Sequence, residues 1–178
     1  MGDGRHLVRP ATAGDAVMLH LMAAATFPLA APGTPPDDIK LFISQNLGVE
    51  QFRQHLANPL CRLLVAEAGG TPAGYAMINL QTEADPLVLP LLARTPSIEL
   101  SKFYLLVGRQ GSGLADELMD AVLEEARQTD AASVWLGVHD ANDRPNSFYE
   151  RHHFVRRGKK TFRVGNSDAV DLIRERIL

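Results

Sequence analysis

Two glycines, Gly111 and Gly113, separate an apolar run ending at Val107 from an amphipathic stretch beginning at Leu114, and this junction constrains the fold more than any other feature of the 178-residue chain. Downstream, apolar residues recur at 114, 118, 119, 122, 123 and 126, the spacing of one helix face. A strand that passes through a glycine loop into a helix leaves the first helical N–H groups unpaired at the positive end of the helix dipole. No side chain at Gly111 or Gly113 screens them, so the junction is an anion cradle suited to a pyrophosphate. It lacks the Gly-Lys-Ser/Thr that closes a Walker A loop and the three glycines of a dinucleotide fingerprint.

Around this junction the chain alternates strands and helices. A strand is expected over residues 7–11, a helix over 16–26 after Thr12-Ala13-Gly14-Asp15, and a break at prolines 28, 32, 35 and 36, where Pro35-Pro36-Asp37-Asp38 can open a second helix through about Asn46. A third helix is expected over 50–57 and a hairpin of strands 61–68 and 73–80 about Gly69-Gly70-Thr71-Pro72. Residues 83–96 suggest no regular element. Strand 98–106, helix 113–128, strand 133–139, helix 145–152 and strands 153–164 and 168–177 complete a single α/β domain spanning residues 1–178, a mixed central sheet with flanking helices.

Gln110, Gly113 and Ala115 match the pattern Q-x-x-G-x-[GA]. Downstream, Asn142 and Tyr149 match N-x(6)-Y, and Phe154 closes a segment like E-[KR]-x-G-F. Together these motifs resemble the GCN5-related N-acetyltransferase (GNAT) superfamily, and the residues from Glu99 through Asp171-Leu172-Ile173 look most like its Pai-type bacterial polyamine acetyltransferases. There are two departures. His153 replaces the usual glycine before Phe154, and Pro145 stands where an alanine or charged residue is usual. A histidine tolerates left-handed backbone less easily than glycine, so the connection after Tyr149 is expected to be reshaped.

The resemblance implies a sheet whose strands 98–106 and 133–139 splay apart, with acetyl-CoA as co-substrate. Backbone groups of Phe103, Leu105 and Val107 would hold the pantetheine arm. Gln110, Gly111, Ser112, Gly113, Leu114, Ala115 and the backbone of Asp116 would hold the pyrophosphate, and Asn142 would hold cofactor or loop backbone. The reaction implied is acyl transfer to a primary amine of a polyamine, small molecule or protein, by direct attack in a ternary complex. An alkyl amine has a pKa of about 10.4, so a proton must leave before attack. Tyr149 is the candidate acid for the departing thiolate, with core packing beside Phe148 as its alternative role. Glu99 is the candidate base; strand alternation would place it on one face with Ser101 and Phe103 unless a bulge intervenes. His139 and a water relay are its competitors.

A net charge of −3 without a basic run argues against nucleic acid as a partner. The lone Cys61 excludes an internal disulfide and is expected to be packed, and adjacent His152 and His153 lack metal-ligand spacing, so no metal is expected. No apolar run approaches the length of a membrane span and no signal-peptide core follows Met1, so neither membrane association nor export is expected and the cytoplasm is the expected location. The resemblance implies acceptor recognition by residues 27–52 and 81–97, where Asp37, Asp38, Glu50, Glu83 and Asp85 are either acids for a basic amine or a solvated surface. The apolar segment 86–92 is expected either to cover the pocket or to meet a second subunit of a homodimer. Two alternatives to an enzyme of this kind are a non-catalytic acyl-CoA-binding or regulatory protein of the same fold and a protein binding another nucleotide.

Overall fold

The computed structural model describes residues 6–81, 85–108 and 112–178. Strand β1 (His6–Pro10) leads through a 3-10 turn into α1 (Ala16–Ala30), α2 (Pro36–Asn46) and α3 (Val49–Ala57). A hairpin of β2 (Cys61–Ala68) and β3 (Thr71–Asn79) follows, then β4 (Ser97–Leu105), α4 (Leu114–Arg127), β5 (Ser133–His139), α5 (Asp143–Arg151) and the hairpin β6 (Val155–Val164) and β7 (Ser167–Ile177). These strands form one sheet in the order β1-β2-β3-β4-β5-β7-β6, antiparallel except for the central β4–β5 pair. The expected single α/β domain with a mixed sheet is the fold observed.

Each face of the sheet has its own core. On one side α4 buries Leu114, Leu118, Met119, Val122, Leu123 and Ala126, the full stripe read from the sequence, against Leu64, Ala76, Ile98 and Leu136. The other side packs α1, α2 and α3 through Leu19, Phe27 and Phe52 onto Val65, Tyr75 and Met77. Cys61 is unpaired and half-buried beside this second core.

Helix α1 runs through Pro28 to Ala30 instead of stopping at Thr26. Pro28 lies in the last turn, so it forgoes one helical hydrogen bond, to the Ala24 carbonyl, and the helix closes within two residues of it. The helical run 13–30 is long and apolar enough by composition to cross a membrane, contrary to the expectation that no stretch reaches that length. In this fold one face of it is in the core, with Leu19 and Ala23 fully buried, while Val17, Leu21 and Leu29 face outward.

The end of α5 departs from expectation too. His153 takes the left-handed conformation at φ 61°. Its N–H donates to the Glu150 carbonyl at 2.9 Å, and Phe154 N–H donates to that of Tyr149 at 2.9 Å, the double closure usually built on glycine. The buried Phe154 ring lies 5.8 Å from that of Tyr149. The connection is therefore not reshaped; the histidine accepts the strain. His153→Gly is expected to stabilise the protein by about 1 kcal/mol, seen as a higher denaturant midpoint. An unchanged or lower midpoint would show that no strain is held there. Pro145 falls in the first turn of α5, where its missing N–H has no helical partner to lose.

Candidate active site

The central strand pair separates almost as soon as it forms. β4 and β5 pair only at Ser97–Ser133, Ile98–Val134 and Glu99–Trp135. Beyond Glu99, β4 stays hydrogen-bonded to β3 but parts from β5. Leu106 N–H donates to the Ala73 carbonyl, so alternation turns the peptide groups of Phe103 and Leu105 the other way, into the gap. Val107 lies just past the strand and is exposed.

At one end of the gap stands the first turn of α4. Gly113, its N-cap, has φ 85°, and a methyl group built on it would meet nothing within 4 Å among the described residues. The N–H groups of Leu114, Ala115 and Asp116 open the helix and have no intrahelical acceptors. Ser112 is exposed beside them. Gln110 and Gly111 lie outside the described residues. The Asp116 side chain turns away to accept a hydrogen bond from His152 Nε2 at 2.8 Å, tying α4 to the end of α5.

A cavity of about 1050 Å³ fills the gap and reaches both faces of the sheet. On the α4–α5 side Tyr149 enters its wall, nearly buried among the rings of Phe103, Phe148 and Phe154. That burial, reinforced by Tyr104, holds the Tyr149 phenol well above its ordinary pKa, so it keeps its proton throughout the neutral range. Buried Arg174 of β7 donates to Asn146 Oδ1 at 2.9 Å, to the Phe154 carbonyl at 3.2 Å and to Glu150 at 2.8 Å, fixing α5 to the sheet. Asn142 caps α5 through its carbonyl, while its side chain donates to the Leu29 carbonyl at the end of α1 at 3.1 Å.

Glu99 does not share a face with Phe103. Leu100 pairs with Ile78 and Lys102 with Met77, so β4 carries one extra residue at Ser101. The bulge leaves Phe103 and Leu105 toward α4 and turns Glu99, Lys102 and Tyr104 toward α1. Burial raises the Glu99 pKa, opposed by Lys102 and by a hydrogen bond with Asn79. Burial in turn lowers the Lys102 pKa, opposed by Glu99. His139 Nδ1 accepts the Ala141 N–H at 3.2 Å, which puts the proton of the neutral ring on Nε2 and leaves it no free lone pair.

The acids expected to receive a basic amine are engaged elsewhere. Asp37 pairs with Lys40, Glu50 pairs with Arg53, and Asp38 caps the β6–β7 turn at Asn166 N–H and Ser167. Asp85 binds Lys160, and Glu83 lies outside the described residues. Among the described residues none from 85–97 lines the cavity. The apolar segment instead buries Val88 against Trp135 and Ile173 and exposes Leu87 and Leu89. Sequence reasoning assigned no role to Tyr104, Lys102, Lys160 or Asp171, all in the cavity wall, because nothing local marks them.

A strand pair splayed over a glycine-capped helix start is the geometry the motifs implied, and a family model described as the acetyltransferase (GNAT) family matches residues 25–154. The chain belongs to the GNAT acetyltransferase family. It is 38% identical over 165 residues to the uncharacterized N-acetyltransferase Rv2669 of Mycobacterium tuberculosis, covering 92% of this chain and 98% of the relative. An uncharacterized N-acetyltransferase of Lactobacillus delbrueckii subsp. lactis is 22% identical over 143 residues, 80% of each chain. Among solved structures, PaiA N-acetyltransferase from Thermoplasma acidophilum in complex with coenzyme A superposes with a TM-score of 0.75 at 18% identity, covering 98% of this chain and 99% of that one. Ribosomal-protein-alanine N-acetyltransferase from Brucella melitensis gives 0.71 at 21% identity, covering 97% and 99%. At these identities the GNAT fold is shared; the Pai-type polyamine subtype is not established by it.

Proposed function

We propose that this GNAT family member transfers the acetyl group of acetyl-CoA to a primary amine by direct attack within a ternary complex. The observation that carries this is the parting of β4 from β5 beyond Glu99, which presents the peptide groups of Phe103 and Leu105 along a gap ending at the N-terminus of α4. An extended pantetheine arm matches the first feature and a pyrophosphate the second. The coenzyme A complex of the Thermoplasma acidophilum structure supports the same co-substrate here. Tyr149 would protonate the departing thiolate, a step that needs a phenol still carrying its proton.

The acceptor approaches from the α1–α2 side. There the wall is apolar: Phe27, Leu29, Phe42 and Leu47 line it, with the Phe27 and Phe42 rings stacked at 4.4 Å. Lys102 faces Glu99 and Lys160 is bound to Asp85, so both cations of this wall are compensated and its apolar lining decides what fits. A primary amine with an apolar body fits this wall better than a polyamine, whose chain has no large apolar group to bury against Phe27 and Phe42.

Coenzyme A is expected to raise the melting temperature, where ATP and NAD do not. Acetyl-CoA turnover, read as thiol release, is expected to be faster with phenethylamine than with spermidine. Stabilisation by coenzyme A with no thiol release from any amine would identify a non-catalytic acyl-CoA-binding protein. Stabilisation by ATP or NAD alone would remove the cofactor assignment.

A further inference from the structure

Glu99, the base expected from the sequence, is held between Asn79 and Lys102, and His139 Nδ1 is occupied by the Ala141 N–H, whereas Asp171 in the cavity wall has no role so far. Asp171 lies in β7 opposite His139 of β5, and its side chain leans over Gly137. A methyl group built on Gly137 would lie 2.7 Å from Asp171 Oδ2 and 3.4 Å from its Cγ, so the carboxylate fills a slot that only glycine leaves open. Gly137 stands two residues beyond Trp135, the last residue of β5 paired with β4, which places the carboxylate on the open part of the gap. Across the gap Tyr104 is close enough to interact electrostatically with both Asp171 and Tyr149. The other charged or titratable groups facing Asp171 are Lys160 from β6, Asp140 from the loop after β5 and His139 beside it in the ladder. Lys160 is bonded to Asp85, and Asp140 to Lys159.

We infer that Asp171 is the proton acceptor for the acceptor amine, an assignment that rests on the acetyl-transfer reading above. The ammonium gives one proton to an Asp171 carboxylate oxygen, directly or through one water. The freed nitrogen lone pair attacks the thioester carbonyl carbon. As the tetrahedral adduct collapses, the C–S bond breaks with its electron pair on sulfur, and Tyr149 protonates the thiolate. The phenolate is refilled by the second proton that the amide nitrogen must lose, and Asp171 releases its own to solvent. Burial holds the Asp171 carboxyl at about 7, opposed by Lys160, so at neutral pH it exists in both forms, as an efficient general base requires. Glu99, by contrast, stands at the closed end of the gap between Asn79 and Lys102.

With phenethylamine as acceptor, Asp171→Asn is expected to lower kcat/KM at pH 7 by about 10² to 10⁴-fold, to erase the limb of the pH profile near 7, and to regain rate as rising pH supplies free amine. Gly137→Ala, which displaces the carboxylate without removing it, is expected to lower turnover in the same direction. Glu99→Gln and His139→Ala are expected to keep the limb. Turnover within about twofold of wild type in Asp171→Asn, with the limb intact, overturns the assignment, as does erasure of the limb by Glu99→Gln instead. A second readout needs no turnover. The folded protein holds the Asp171 proton more tightly than the unfolded chain, so wild type should lose stability relative to Asp171→Asn as pH rises from about 4 to about 7. Absence of that difference also overturns it. If wild type turns over no amine at all, the acetyl-transfer reading fails and takes this one with it.

Discussion

Gly113→Glu is expected to abolish stabilisation by coenzyme A while leaving the protein folded. A Cβ at position 113 meets no atom of the described residues within 4 Å, and the left-handed φ of 85° costs about 1 to 2 kcal/mol for any L-residue. Once there, the carboxylate sits at the positive end of α4, where it is favourable to the helix and fills the cradle with a tethered anion. A pyrophosphate must then displace a group of its own sign. Affinity should fall by at least about 100-fold, near 2.7 kcal/mol, and the thermal shift with coenzyme A should vanish. Gly113→Ala carries the backbone strain without the charge and should keep most of the shift. A full shift in Gly113→Glu would remove the pyrophosphate from this end of the gap.

Tyr149→Phe is expected to lower kcat by about 10² to 10⁴-fold with acetyl-CoA affinity nearly unchanged. The aromatic contacts with Phe103, Phe148 and Phe154 survive the substitution, since all are made by the ring and none by the hydroxyl. Only the proton donor is lost. Coenzyme A binding and the melting temperature serve as the internal controls. Turnover at the wild-type rate in a folded Tyr149→Phe would reduce Tyr149 to a packing residue.

Much of this architecture was legible along the chain because it depends on neighbours in sequence. The stripe of α4, the glycine at its cap and the hairpin at Gly69-Gly70 are local patterns, and the structure reproduces them within a residue or two. Asp171 was legible only as part of a family-like segment, not as a site. Its place in the wall depends on Gly137, on a different strand, having no side chain, and on β4 leaving β5 nearby. Asp37 and Asp38 failed in the opposite way: as acids near an expected pocket they looked available, but Asp38 holds the β6–β7 turn against α2, beside Gly165. Pro28 misled because a proline that ends a helix and one tolerated in its last turn look alike until the turn is seen.

The extra residue at Ser101 bears on how this strand can diverge. Side chains at 99, 102 and 104 point to the acceptor side, while 100, 103 and 105 point to the core beneath α4, and the bulge sets Ser101 outside that alternation. Replacing any one of these residues alters one contact. Removing Ser101 would close the bulge with Lys102 still opposite Met77 and Phe103 opposite Ala76, so every later side chain would keep its face. The bulge is thus the one place in β4 where a residue can be lost without exchanging the acceptor face for the core face, and elsewhere along the strand each substitution alters a single contact.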